Sequence, residues 1–260
     1  MPLDFLICGL EHSGTTLLSD LMRQVPGCDS GFECGVLLGR KPSDFLDMQP
    51  FCSNILKGWE ISQDDLNACV EHVDFASFYD ELYERSNLFK GKKQPSIRFD
   101  KTPRYISCIH RVAKSVPDVP ILAMIKDPAA IAWSDFKRSG LKMEDIYGWY
   151  DKWLEPKKKY MQKAYEGYQY CWNSTGQCTV VRLEELCLSA AKTLKKIDSF
   201  IDVEYSPMQF YLRDKRYAHT KGSSINAFVA VEHLVSLPEN LKSDIASHFK
   251  EFDQWFYDFS

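Results

Sequence analysis

Residues 9–18 read Gly-Leu-Glu-His-Ser-Gly-Thr-Thr-Leu-Leu, a glycine turn carrying hydroxyls and a central histidine. Such a turn suits an oxyanion. Backbone N–H groups at a helix start lack partners, and the helix dipole adds partial positive charge beside them. Gly14 lets the backbone come close, while Ser13, Thr15 and Thr16 bring hydroxyl donors next to Glu11 and His12. The spacing of Gly9 and Gly14 matches the nucleotide P-loop pattern GxxxxGK[ST], except that Thr15 stands in the lysine position. That lysine normally reaches the β and γ phosphates, so transfer of a nucleotide's terminal phosphate is disfavoured. A free histidine titrates near pH ~6.5 and nearby anions favour its charged form, which makes His12 a candidate donor or cation. Its plainer alternative is a turn residue bonded to backbone.

A turn of this kind needs a strand before it and a helix after it. Residues 4–10 predict a buried strand, and in residues 15–25 Leu17, Leu18, Leu21, Met22 and Val25 keep helical spacing. Further strands are predicted at 96–100, 120–125 and 178–182. Helices are predicted from a Ser62 cap to residue 72, over 75–89, from Pro103 to 116, and from Pro128 to 139. Residues 143–172 predict a long helix interrupted or kinked at Pro156. Helices follow the last strand to about residue 201, residues 205–226 predict a long ordered loop, and 238–256 predict a closing helix. Strands alternating with amphipathic segments predict an α/β fold on a mainly parallel sheet. One domain over 1–260 is expected, with insertions at about 26–95 and 203–230. The stripe Tyr147, Tyr150, Trp153 and Leu154 predicts core packing, and the lysines 157–159 predict a solvated face.

Ser-Gly-Thr-Thr after a strand, with a basic residue just before it, resembles the 5′-phosphosulfate loop of sulfotransferases that use 3′-phosphoadenosine 5′-phosphosulfate (PAPS). Those enzymes commonly carry lysine or arginine where this chain has His12. Residues 126–134, Lys-Asp-Pro-Ala-Ala-Ile-Ala-Trp-Ser, resemble the family's 3′-phosphate motif, with Lys126 in the usual arginine position and Ser134 eight residues on. The exchange keeps charge and loses a bidentate fork. Residues 100–106, Asp-Lys-Thr-Pro-Arg-Tyr-Ile, are similar to a strand-end motif of the glycosaminoglycan-type branch, in which the lysine, here Lys101, lies near the transferred sulfuryl group. Residues 181–186 resemble the family's late strand-to-helix segment. Lys221-Gly222-Ser223 resembles the loop that closes over the 3′-phosphate, a solvated turn being equally compatible. Together these segments frame about residues 3–190 and resemble the Golgi and tyrosylprotein-type branches in a bacterial-like single-domain form.

The resemblance implies a P-loop-like three-layer α/β/α fold. It also implies PAPS as co-substrate, the 3′,5′-bisphosphate (PAP) as product, and a hydroxyl or amine acceptor reached by in-line displacement. The donor would be held by Glu11, His12, Ser13, Gly14, Thr15, Thr16, Lys126, Ser134, Lys221, Gly222 and Ser223. His12 would stand beside the bridging oxygen with Lys101 as second cation. A glutamate at about the separation of Glu33 from the loop acts as base in the Golgi-type branches. Asp100 and His110 stay open as alternatives. The acceptor could be a small molecule, a carbohydrate or a tyrosine side chain, and no acidic cluster suggests a metal site.

Composition narrows the rest. With 260 residues, 45% hydrophobic, 26% charged and a net charge of −4, the chain can bury a full core and is not compositionally disordered. It lacks the basic excess that nucleic-acid binding through counterion release demands. No stretch approaches the ~20 apolar residues of a membrane span, and the start shows no signal-like segment, so a cytoplasmic location is expected. Nine cysteines without CxxC spacing read as reduced thiols, Cys171 and Cys178 being the pair best spaced for a bridge. Two rival functions stay open: a small-molecule or nucleotide kinase, and a nucleotide-binding protein without catalysis.

Overall fold

The structure is a computed structural model and describes residues 3–90, 94–174, 176–204 and 225–255. Five strands, β1 (Phe5–Gly9), β2 (Cys28–Asp29), β3 (Ile97–Lys101), β4 (Ile121–Ile125) and β5 (Cys178–Arg182), form one parallel sheet in the order β2-β3-β1-β4-β5. Every residue of β1 and β4 is buried, as expected of continuous apolar runs covered on both faces. Because successive side chains alternate, Phe5, Ile7, Leu122 and Met124 enter one core while Leu6, Cys8, Ile121, Ala123 and Ile125 enter another.

Helices cover both faces, so the expected three layers are present. Against the first core lie α1 (Thr15–Met22), α8 (Leu183–Leu188), α9 (Ala190–Phe200) and α10 (Ala227–Ser236). Against the second lie α2 (Phe51–Gly58), α3 (Gln63–Val70), α4 (Phe75–Arg85), α5 (Ile109–Ser115), α6 (Pro128–Ser139), α7 (Ile146–Asn173) and α11 (Glu239–His248). Their starts are set by side-chain caps: Ser62 accepts from Asp65 N, Asp74 from Ser77 N, and Asp127 from Ala129 N and Ala130 N.

The structure differs from the sequence expectations at several elements, among them α2, which was not anticipated. The edge strand β2 is only two residues long, too short for a periodic signal. The helix expected from Pro103 begins as a 3₁₀ segment, Pro103–Cys108, before α5. Helix α7 runs through Pro156 without interruption. That residue is exposed, so its missing N–H leaves the Lys152 carbonyl to water. Helix α10 was not anticipated, and the closing segment divides into α11 and a 3₁₀ stretch, Lys250–Trp255. All nine cysteines carry free thiols, and Cys171 and Cys178 are hydrogen-bonding neighbours. No helix among the described residues is long and apolar enough to cross a membrane.

Candidate active site

The glycine turn is fixed by close backbone packing. Gly9, the last residue of β1, has φ 148°, and a Cβ added there would lie 2.2 Å from the Met124 carbonyl oxygen on β4. Tyr168 of α7 bridges the two strands, its hydroxyl accepting from Leu10 N at 2.8 Å and donating to Met124 O at 2.6 Å. Ser13 is turned inward, with N and Oγ both reaching Leu10 O. His12 stands in the left-handed region at φ 69°, uncommon for a side chain other than glycine and typical of functional turns. Gly14, at φ 95°, is the N-cap of α1 and supplies no side chain to the first-turn amides. The amides of Thr15 and Thr16 therefore begin a helix that invites an anion.

The next strand over ends in an ion pair. Lys101 Nζ lies 2.5 Å from Glu33 Oε1 and 5.3 Å from the centroid of the Phe32 ring, with only 5% of the lysine exposed. The register of β1 with β3 sets Ile7 beside Lys101, so both strands finish on the same sheet edge. The loop bearing Glu33 is stapled to the end of β3. Cys34 N donates to Asp100 Oδ1, Gly35 N to Thr102 Oγ1, and Leu37 N to the Tyr105 hydroxyl. Asp100 is thereby enclosed. It is fully buried and accepts from Cys34 N, Thr102 Oγ1, Tyr79 OH and Tyr105 OH, while burial raises its pKa above the usual carboxylate range. His110, the other alternative, is exposed on α5.

His12 has its own partner. Its Nε2 faces Asp135 Oδ1 at 3.4 Å, and Asp135 Oδ2 accepts from Lys157 Nζ at 2.7 Å and from Trp153 Nε1 at 2.8 Å. Burial lowers the pKa of His12, Asp135 opposes that effect, and Arg138 and Lys157 add to it. Lys157 therefore departs from the solvated face expected of residues 157–159: its side chain is 12% exposed and lies over the rings of Trp153 and Tyr160. The Tyr160 hydroxyl accepts from Glu11 N, and the Glu11 carboxylate pairs outward with Arg104 at 3.4 Å. A phosphate-type turn, a carboxylate–lysine pair and a carboxylate-backed histidine thus meet the same sheet edge.

The model of the sulfotransferase family matches residues 4–207. The chain belongs to the sulfotransferase family. A Caenorhabditis briggsae relative assigned as a protein-tyrosine sulfotransferase is 23% identical over 210 residues, covering 78% of this chain and 66% of its own length. The nodulation protein NoeE of Sinorhizobium fredii is 25% identical over 136 residues, covering 52% of this chain and 31% of its own length. The chain thus spans less than two thirds of either curated relative. The sulfotransferase domain of the Synechococcus PCC 7002 olefin synthase is similar in structure, with TM-score 0.64 at 18% identity over 95% of this chain and 93% of that one. The fold is therefore that of a sulfotransferase, P-loop-like in its α/β layers.

In this sulfotransferase the remaining donor candidates lie at the β4–α6 junction. Lys126 directly follows β4 and is 5% exposed; Ser134 lies within α6 and is half-buried. Burial lowers the pKa of Lys126, and Glu184 at the start of α8 opposes this. Glu184 accepts from Asp127 N through Oε1, its buried Oε2 has no hydrogen-bond partner among the described residues, and burial pushes its pKa up to about 7. Leu183 beside it meets the turn, since a Cβ on Gly14 would lie 2.6 Å from its Cδ1. Lys221, Gly222 and Ser223 lie outside the described residues. The sequence assigned a functional role to neither Asp135 nor Lys157. Asp135 directly follows Ser134 in a recognised motif, the one signal pointing to it, whereas Lys157 sits in a lysine run that looks like ordinary surface.

Proposed function

We propose that the chain moves a sulfuryl group from PAPS to a hydroxyl or amine acceptor. The observation that carries this reading is the 2.5 Å pair of Glu33 and Lys101 on the strand beside the glycine turn. Sulfuryl transfer, like phosphoryl transfer, needs in-line geometry and cations around spread-out charge more than covalent help. Glu33 takes the acceptor proton as the acceptor oxygen bonds to sulfur. The sulfur–oxygen bond to the 5′-phosphate breaks, and PAP leaves. Lys101 and the amides at the start of α1 offset charge on the sulfuryl oxygens, and His12 donates to the leaving oxygen. Lys126 and Ser134 hold the 3′-phosphate, with Lys221, Gly222 and Ser223 closing over it. Glu11, Ser13, Gly14, Thr15 and Thr16 shape the 5′ subsite. Membership of the sulfotransferase family supports PAPS as donor, and the tyrosine-directed assignment of one relative keeps protein tyrosine among the acceptors with carbohydrates and small alcohols.

A donor test and a turnover test decide it. PAP should raise the melting temperature more than adenosine monophosphate, which lacks the 3′-phosphate, and Lys126→Ala should erase that difference. Glu33→Gln should keep the PAP shift while lowering turnover with labelled PAPS by about 10²–10⁴-fold, the usual worth of a general base. Equal shifts from the two nucleotides, or near-normal turnover in Glu33→Gln, would remove the corresponding role. A panel of tyrosine peptides, oligosaccharides and small alcohols identifies the acceptor.

A further inference from the structure

Asp135 is placed where neither its motif nor its helix requires a carboxylate. It lies on α6 with its side chain 14% exposed, and its Oδ1 atom is buried with no hydrogen-bond partner among the described residues. Across 3.4 Å that atom faces His12 Nε2. The other oxygen is doubly held, by the ammonium of Lys157 and the indole N–H of Trp153, both from α7. Nδ1, the second nitrogen of His12, has no protein partner among the described residues. A carboxylate that accepts from one nitrogen fixes the tautomer of a neutral imidazole, leaving a lone pair on the other nitrogen, and it stabilises the imidazolium, which carries an N–H there. Catalytic hydrogen bonds are often long before substrate binds and tighten afterwards.

We propose that Asp135 and Lys157 are positioning residues for His12. Asp135 holds the Nε2 side of the ring and stabilises the imidazolium, whose Nδ1–H is then left for the donor's bridging oxygen, and Lys157 fixes Asp135 and moderates its pull on the imidazolium. The proposal rests on the role of His12 given above. Asp135 lets a histidine serve where the resemblance leads one to expect lysine or arginine, because its carboxylate favours the imidazolium. Lys157, a permanent cation on a different helix, holds that carboxylate and opposes part of its pull.

The two residues act on His12 with opposite sign. Removing the charge of Asp135 takes away a stabiliser of the imidazolium and lowers the titration midpoint of His12. Removing Lys157 takes away a repelling cation and frees Asp135 to attract the ring, which raises that midpoint. The other charged groups that act on His12, Arg138 on α6 and Glu11 in the turn, are left unchanged.

The decisive measurement is a pH titration of the His12 ring by NMR in the full chain without ligand. The signal is assigned by its loss in His12→Gln, and Asp135→Asn, Lys157→Met and Lys157→Arg are compared with wild type. Melting curves establish that each variant is folded, and Lys157→Gln replaces Lys157→Met if the latter is not. The midpoint should move to lower pH in Asp135→Asn, to higher pH in Lys157→Met, and stay near wild type in Lys157→Arg. The alkaline limb of turnover with PAPS should follow the same order. In Asp135→Asn, kcat at pH 8 should fall on the order of ten-fold or more with no rise in the donor KM, because the lost contact matters when charge develops on the leaving oxygen. Midpoints that do not move, or that move the same way in Asp135→Asn and Lys157→Met, overturn the proposal. A wild-type chain that neither binds PAP nor turns over PAPS overturns the functional reading instead, and the ring titration still decides the arrangement.

Discussion

At the scale of single residues the candidate site separates the groups proposed to do chemistry from the groups that hold them. Glu33 is joined to Lys101 across 2.5 Å, and Asp100 next to Lys101 is sealed beneath four hydrogen-bond donors. Asp100→Asn keeps the shape but sets an amide against the hydroxyls of Tyr79 and Tyr105, which now both donate to Oδ2. Leaving one of these buried donors unsatisfied is expected to destabilise by about 1–3 kcal/mol. Since Asp100 also holds Cys34 N, the Glu33 loop should loosen, so kcat should fall more than donor affinity; steady-state kinetics beside a melting curve would show both. For His12, burial keeps the ring neutral to lower pH than usual in the chain alone, and a bound phosphosulfate pulls the other way. Turnover should fall on the alkaline side of the bound-state titration. His12→Lys, charged at every physiological pH, should flatten that limb, and a limb unchanged in a pH–rate profile would assign it to another group.

At the scale of elements the turn between β1 and α1 sets the tolerance of the site. An alanine at position 9 would drive its Cβ to 2.2 Å from a backbone carbonyl, which cannot yield without separating β1 from β4. At position 14 the obstacle is the end of the Leu183 side chain at 2.6 Å, which can rotate. Gly14→Ala should therefore show mainly the strain of a positive φ, about 1–3 kcal/mol, and Gly9→Ala more. For a chain of this length each kcal/mol lowers the melting temperature by about 2–4 °C, so calorimetry can rank the two. How legible the elements were follows from the same packing. Strands β1 and β4 and helices α1 and α6 were visible because their apolar runs and caps are local. Strand β2 owes its pairing to Ile97 and Arg98 across the fold rather than to its own two residues. Helix α10 hid because Ala-Phe-Val-Ala-Val carries no polar stripe: Phe228, Val229, Leu234 and Val235 are exposed while Ala230 faces the core. The site divided in the same way. His12, Glu33, Lys101 and Lys126 lie next to strand ends and could be located from motifs. The meeting of Asp135 with Lys157 depends on how α6 packs against α7, which spacing along one chain does not encode.

At the scale of the whole molecule, stability and ligand binding should respond to pH through one buried acid. The pKa of Glu184 is pushed up to about 7, chiefly by burial, from the ordinary carboxylate range of about 4.3. A raised folded-state value means that the folded chain binds this proton more tightly than the unfolded one. Its contribution is therefore fully present below about pH 4, and declines as pH rises through about 7. Glu184→Gln cannot lose a proton, so the variant should overtake wild type in stability towards pH 8, and denaturant titrations from pH 5 to 8 would show the crossing. Wild-type stability independent of this residue across that range would mean that Glu184 is not held protonated. PAP at ~100 times its dissociation constant should add about 2.7 kcal/mol on top, a shift of several degrees.

The charge interaction of Glu184 with Lys126 would also make ligand capture a proton-coupled event. A 3′-phosphate on Lys126 would offset the charge that now favours the carboxylate, so more of the Glu184 population would hold a proton after binding than before. Near pH 7, where about half of the chains have already lost that proton, PAP should draw up to roughly half an equivalent from the buffer at this group. Titration calorimetry in phosphate and in Tris, whose ionisation heats differ widely, would read the uptake as a difference in apparent binding enthalpy. His12 contributes its own share, and the part that disappears in Glu184→Gln belongs to Glu184. Through this one carboxylate, a lower pH would tighten the hold of the proposed donor site on PAP.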